Sequence, residues 1–470
     1  MTRKFFYPDS IAIIGATDNE KKFGHAVTAN LMDNKDLAAK LYPVHPKSET
    51  IGGLKAYKSV LEIPDKIDLA ILLVPAKIVP SVVDECIEKK VKRIIIVTAG
   101  FAEINEEGRK VQEQLSQKLK EKGIRLIGPN CVGIQNVDIG MNASFIQTPP
   151  KGNVSMITQS GSVGAIVLYE MVWQGLGFSK FANLGNMADV NLTDVLRFYK
   201  EDENTKVVTI YLENVVDGRV FYEELHEVAR DKPVVVLKGG RTATGMGAAS
   251  SHTGSMATDY SSLKTAVKQA GAIMCESISD YIAAIKAFSF LSLPKGEKIG
   301  VLTNSGGSAV MFSDFADDFG LKLAPFTEEF KEKINPFLIP LVKKVNPLDM
   351  IAGASGKEYY EVTKAMLEDP DIDIVVPIAV IPTFLGMTTS EHYEGVIKAW
   401  NETGRKKPII PIFMSGNLLN EPKKIAKKES SPIFLNPREA AYAIKMLIQY
   451  AKRKKIIKCE TEFFIFKHFY

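Results

Sequence analysis

Short runs of aliphatic and β-branched residues punctuate the chain at Ile11–Ile14, Lys40–Val44, Leu69–Val74, Arg93–Val97, Val154–Thr158, Lys206–Leu212, Pro233–Lys238, Lys298–Thr303, Ile372–Val380 and Pro408–Met414. Between them apolar residues recur at helical spacing. Strands that are apolar at nearly every position are those covered by helices on both faces of a parallel sheet. The pattern predicts an α/β protein built from open, doubly wound parallel sheets. Stretches rich in Pro, Gly and Lys at Gln147–Gly152 and around Leu293–Glu297 interrupt it. They divide the chain into units 1–147, 148–293 and 294–470.

The second and third units read as copies. Met156-Ile-Thr-Gln-Ser-Gly-Ser-Val-Gly164 answers Val301-Leu-Thr-Asn-Ser-Gly-Gly-Ser-Ala309, each a strand entering a Ser-Gly turn and an apolar helix. Lys232–Gly240 answers Lys407–Gly416 in the same way. A duplicated flavodoxin-like unit is the simplest account. The copies differ in chemistry. Val207–Leu212 runs into Glu213, whereas the strand around Ile374–Ile381 carries no acid. Chemistry therefore falls to the second unit, and the third is architectural or contacts a partner.

Composition narrows the function classes. A net charge of +4 on 470 residues argues against a nucleic-acid partner. No apolar stretch reaches the roughly 20 residues of a membrane span. Four scattered cysteines and six histidines without ligand spacing predict no metal site and a reducing, cytoplasmic setting. The segment from Cys459 to Tyr470 carries an apolar run, either a terminal strand or a subunit contact.

In the first unit, strand Ile11–Ile14 enters the loop Gly15–Gly24 and then a helix. Backbone N–H groups at such a helix start suit phosphate. The loop is not Gly-x-Gly-x-x-Gly, and no acid ends the second strand to hold a ribose. That strand ends instead in His45-Pro46-Lys47, a cation placed for a further phosphate. The unit thus fits a nucleotide with an extra phosphate, coenzyme A or NADP, or else an ordinary turn with surface lysines. Val74-Pro75-Ala76, Thr98-Ala99-Gly100 and Gly128-Pro-Asn130-Cys131 follow other strands. They fall where doubly wound sheets bind ligands. Cys131 has no basic neighbour in sequence to activate it, so a buried bystander is its plainer role.

In the second unit, Gln159-Ser160-Gly161-Ser162 opens a helix and offers N–H groups and hydroxyls to an anion. Gly247–Ser255 places a lone His252 among Ser251, Thr253, Gly254 and other small residues. A surface loop with an incidental histidine is one reading. The other pairs His252 with Glu213. A carboxylate that accepts the Nδ1 proton leaves Nε2 free to attack phosphorus. The product, phosphohistidine, would sit against the Gln159–Ser162 helix end. The glycines of Gly239–Ser255 would let His252 move between sites.

Ser251-His-Thr-Gly-Ser255, Gly128-Pro-Asn-Cys131 and Gln159-Ser-Gly161 together resemble the α subunits of the nucleoside-diphosphate-forming acyl-CoA synthetases. The likeness is greater to the longer ADP-forming acetate–CoA ligase branch than to the shorter succinyl-CoA synthetase branch. It implies a Rossmann-like CoA-binding domain, a phosphohistidine flavodoxin-like domain and a second flavodoxin-like ligase domain. It implies His252 as the phosphorylated residue and Glu213 as its support. Gly15, Ala16, Thr17, Asn19, Lys22, Gly24 and Lys47 would hold the phosphates of CoA. Val74, Pro75, Thr98, Ala99 and Gly100 would line its arm. Asn130, Cys131, Gln159, Ser160, Gly161, Ser162, Ser251, Thr253 and Gly254 would bind substrate and phosphate. Gly185-Asn-Met-Ala-Asp189 stands where succinyl-CoA synthetase has Gly-Gly-Asp, and a tyrosine found there is absent. Both departures weaken succinate as substrate and favour a shorter or monocarboxylic acid.

The implied reaction interconverts acyl-CoA, ADP and phosphate with acid, CoA and ATP, through an acyl phosphate and phosphohistidine. No Gly-x-x-x-x-Gly-Lys-[Ser/Thr] loop or ATP-grasp pattern is present. ADP, ATP and Mg²⁺ would then bind an ATP-grasp β subunit, in an α₂β₂ assembly. Two alternatives remain at this level. A CoA-binding regulatory module would leave His252 and Glu213 idle. An NADP-linked oxidoreductase would leave the anion sites of the second unit unexplained.

Overall fold

A computed structural model describes residues 2–247 and 258–469, with side chains to Ile456 except that of Phe384. The expected apolar runs are all strands. The first sheet takes β1 (Ser10–Ile14), β2 (Lys40–Val44), β5 (Leu69–Leu72), β6 (Arg93–Ile96) and β7 (Arg125–Ile127). Its order is β2-β1-β5-β6-β7, parallel throughout. A two-residue hairpin, β3 (Thr50–Ile51) with β4 (Leu54–Lys55), stands apart. β1 and β5 are buried at every position, as helices on both faces require.

The second sheet contains β8 (Gly133–Asn136), β9 (Met141–Ser144), β10 (Lys151–Thr158), β11 (Phe178–Asn183), β12 (Val207–Leu212), β13 (Val234–Lys238) and β14 (Ile273–Cys275). Its order is β14-β13-β12-β10-β11-β8-β9. The strands from β10 to β14 are parallel, and the β8–β9 hairpin adds antiparallel to β11. Residues 133–144, which precede the Gln147–Gly152 break, thus belong to the second sheet. Their buried polar side chains bond locally: Gln135 Nε2 donates to Ser144 Oγ at 2.9 Å, and Asn142 Nδ2 donates to Thr148 Oγ1 at 2.8 Å. Asn136 Nδ2 donates to Phe6 O at 2.8 Å, and Phe6 stacks on Phe198 at 4.8 Å. One apolar core therefore runs from the N-terminal helix Arg3–Phe6 into the second sheet. Beside it Lys180, fully buried, pairs with Asp138 at 2.9 Å and Asp202 at 2.7 Å.

By contacts these two sheets form one unit, 1–172 with 176–276, and residues 173–175 with 277–470 form a second. The second unit's sheet has β15 (Lys298–Thr303), β16 (Lys322–Leu323), β17 (Leu348–Asp349), β18 (Ile374–Ala379) and β19 (Ile412–Phe413). Its order is β16-β15-β18-β19, with β17 also on β15. Both copies therefore place the first strand between two later ones, β10 between β11 and β12 and β15 between β16 and β18. The likeness extends to side chains. Thr158 Oγ1 donates to Ser160 O at 2.8 Å, and Thr303 Oγ1 donates to Ser305 O at 3.2 Å. Gln159 reaches across to the backbone of Asn214, as Asn304 does to that of Val380. Val380 therefore occupies the neighbourhood that Glu213 and Asn214 fill in the second domain. The terminal segment is helical: Pro437–Phe469 is one helix, and the strand considered for its end does not form.

Candidate active site

The βα loop of the first domain is shaped by its own side chains. Thr17 Oγ1 accepts from Asn19 N at 3.2 Å, and Asn19 Oδ1 accepts from Lys21 N at 3.0 Å. These turns lead into the helix Phe23–Met32. A Cβ on Gly24 would collide with the Gly15 carbonyl, so glycine lets the helix start lie against the strand end. In that first turn His25 N and Ala26 N donate to Lys22 O, which leaves the N–H groups of Phe23 and Gly24 to face an anion.

A cavity of about 950 Å³ runs from this loop to the second sheet. Gly15, Lys22, Gly24, Val74, Pro75, Thr98, Ala99, Asn130, Cys131, Gln159, Ser160, Gly161, Ser162 and Glu213 all line it. Two regions remote in sequence thus meet in one space. Ala16, Thr17, Asn19, Lys47 and Gly100 are not in its wall. Ala16 is buried, Thr17 and Asn19 spend their oxygens on the loop, and Lys47 is exposed beyond β2. His252, Ser251, Thr253 and Gly254 lie outside the described residues.

Gln159 turns its amide onto the far corner. Its Oε1 accepts from the N–H groups of Glu213 and Asn214, the latter at 3.0 Å, and its Nε2 donates to Asn214 O at 3.0 Å. The side chain thus fixes the turn carrying Glu213, beside the start of the helix Gly161–Trp173. Ser160 Oγ and Ser162 Oγ lie 3.3 Å apart at that helix start. Glu213 is buried, and Lys238, also buried, donates to its carbonyl at 2.8 Å. Burial lowers the Lys238 pKa, against the pull of Glu213 and Asp259. The Cys131 thiol donates to Ile96 O at 3.3 Å, and burial pushes its pKa to about 12. It is a wall residue without thiolate character.

Sequence reasoning missed the polar wall between these ends. Asn186 Nδ2 donates to Glu103 Oε2 at 2.6 Å and to Gln112 Oε1 at 2.9 Å, while its Oδ1 accepts from Asn130 at 3.2 Å. Burial works to raise the Glu103 pKa, but hydrogen bonds from Gly100 N–H and Asn186 hold it below the usual carboxylate value. Asp189 pairs with Arg125 at 2.8 Å and accepts from Leu126 N at 2.8 Å. These contacts lay Gly185–Asp189 along Gly128–Asn130, where Asn186 N donates to Pro129 O at 3.0 Å. Phe23 and Phe145 pair at 4.6 Å, and both line the cavity. The one available signal for Asn186 was its place in the departing Gly185–Asp189 segment. Among the described residues, no group of three His, Cys, Asp or Glu could hold a metal ion, and no helix is long and apolar enough to cross a membrane.

One cavity joins the glycine-lined βα loop of the first domain to a helix start beside a buried glutamate, and the family models place this architecture among the CoA ligases. Residues 9–137 match the CoA binding domain, 151–288 the succinyl-CoA ligase like flavodoxin domain and 299–424 the ligase-CoA domain. The chain is 42% identical over 448 residues to the acetate–CoA ligase [ADP-forming] II subunit alpha of Pyrococcus furiosus, covering 95% of this chain and 97% of that one. It is 37% identical to the acetate–CoA ligase [ADP-forming] I of Archaeoglobus fulgidus, matching 96% of this chain but spanning only 64% of that longer protein. The solved acetyl-coenzyme A synthetase 1 of Candidatus Korarchaeum cryptofilum, in complex with phosphate and ADP, superposes with a TM-score of 0.91. It is 32% identical, covering 98% of this chain and 99% of that one. The chain belongs to the family of ADP-forming acetate–CoA ligases, as an α-subunit-type member.

Proposed function

We propose that this chain is the CoA-binding, phosphohistidine-bearing subunit of an ADP-forming acyl-CoA synthetase acting on a short monocarboxylic acid. The observation that carries the reading is the single cavity joining Gly15–Gly24 to Glu213 and the Gly161–Trp173 helix start. CoA enters with its phosphates on the glycine loop and Lys22, and its arm passes Val74, Pro75, Thr98 and Ala99 to Asn130. A phosphate oxygen attacks the thioester carbonyl, the C–S bond breaks, and the departing sulfur takes a proton. The helix N–H groups and Ser160 and Ser162 hold the phosphoryl oxygens of the acyl phosphate. His252 Nε2 then attacks phosphorus, the carboxylate leaves, and Glu213 stabilises the imidazolium through Nδ1. The phosphoryl group finally passes to the β-phosphate oxygen of ADP, giving ATP and free imidazole. An ATP-grasp β chain supplies the nucleotide and Mg²⁺ site, in an α₂β₂ assembly.

Described flanks of the His252 segment support this placement. Gly239 N donates to Leu212 O at 2.9 Å on one side, and Thr258 Oγ1 accepts from Val215 N at 3.0 Å on the other. Both ends are thus bonded next to Glu213.

Intact-mass spectrometry after incubation with acetyl-CoA and phosphate tests the reading. An acid-labile phosphate is expected on the wild type and absent from His252→Ala. ATP should form from ADP only after an ATP-grasp chain is added. A labelled His252→Ala protein overturns the assignment, and full ATP synthesis by the chain alone overturns the two-chain arrangement.

A further inference from the structure

Tyr211 lies in β12, and Glu213 is the first residue past the end of that strand. The phenol is buried, and a buried hydroxyl requires a partner. That partner is the Glu213 side chain. On the neighbouring strand, Leu212 is in register with Lys238, which puts Gly239 beside Glu213. A Cβ built on Gly239 would collide with the Tyr211 hydroxyl and stand 3.4 Å from Glu213 Cγ. The backbone of Gly239 is not in the left-handed region, so its conformation does not demand glycine. Space does. Lys238 completes the corner by donating to the carbonyls of Glu213 at 2.8 Å and Gly239 at 2.6 Å.

We infer that Tyr211 is a positioning residue for Glu213, its hydroxyl donating to the carboxylate, and that Gly239 preserves the space for that contact. The inference rests on the carrier role of His252 given above. Burial, with the Glu213 charge next, pushes the Tyr211 pKa to about 12, so the phenol keeps its proton and donates. Among the described residues, Lys238 is the charged group facing this corner from β13, with Asp259 acting on Lys238 in turn. A hydrogen bond to the ionised carboxylate lowers its pKa, so losing the bond raises it.

The test uses the full chain with an ATP-grasp partner and follows histidine labelling from radiolabelled ATP against pH. Tyr211→Phe should move the acid limb up by about one pH unit. CoA affinity and thermal midpoint should stay near wild type. Gly239→Ala should shift the limb in the same direction, and the double variant should shift it no further than the larger single one. Labelling of Tyr211→Phe that superimposes on wild type at every pH overturns this inference alone. A wild type that takes no label removes the carrier reading, and this inference with it.

Discussion

Lys22 and Lys47 carry the same charge but differ in placement. Both are exposed, but Lys22 lines the cavity at the start of the helix Phe23–Met32, whereas Lys47 lies outside its wall. Lys22→Ala should weaken CoA binding by roughly 1–3 kcal/mol, the range for a charge-assisted contact. Lys47→Ala should cost less than about 1 kcal/mol, as for a solvated charge. Glu213→Gln should leave CoA affinity intact and slow histidine phosphorylation by ~10²-fold. Calorimetry with CoA, alongside a labelling assay, checks all three; equal CoA losses in the two lysine variants would contradict the placement. At this scale the sequence conveyed residue type better than role. Gln159 was legible as a site residue, but its amide holds a backbone turn instead of an anion. Which atoms a side chain satisfies depends on neighbours remote in sequence, here Glu213 and Asn214.

Strands were the most legible elements, because a parallel strand buried on both faces must be apolar throughout. The β8–β9 hairpin was illegible for the opposite reason. Gln135, Asn136, Asn142 and Ser144 are fully buried yet polar; Gln135, Ser144 and Asn142 bond in a chain and Asn136 bonds Phe6 O, and these contacts replace the apolar signature. Missing the hairpin also hid Phe145 and Ile146, which it delivers to the cavity. In the third domain, the helix Glu391–Glu402 carries a second unread polar residue, His392. It is fully buried, bonds Ala354 O through Nε2 at 2.9 Å and meets Tyr359 edge-on at 4.8 Å. Its Nδ1 has no partner among the described residues. Burial lowers its pKa, so the folded state binds a proton less readily than the unfolded one. The stability this gives is present above about pH 6.5 and is lost as pH falls below it. His392→Gln keeps an N–H donor without the titration. Below that pH, wild-type stability should fall more steeply than the variant's, by up to about 1.4 kcal/mol per pH unit. Thermal melts at pH 7.5 and 5.5 measure the difference; parallel losses would exclude His392 as the cause.

At the scale of the whole molecule, duplication was readable in the repeated Ser-Gly turns, whose threonine contacts match. What was not readable is how the first two domains are joined. The chain leaves the first sheet after β7 and completes the second sheet's edge with β8 and β9 before running back to begin β10. The junction is an overlap, in which residues ahead of the Gln147–Gly152 break finish the sheet that follows it. For protein engineering this decides where a graft can be made. A second-sheet module cloned from residue 148 leaves β11 as a bare edge, the kind of edge that pairs with other molecules. A module cloned from residue 128, with the Arg3–Phe6 helix that covers Phe198 retained ahead of it, brings its own border strands. The shorter fragment should aggregate on size-exclusion chromatography and the longer one should elute as a discrete species. Recombination between relatives at the linker should fail for the same reason, and exchange before Gly128 should succeed. The point at which this protein can be cut lies upstream of the point at which its sequence invites the cut.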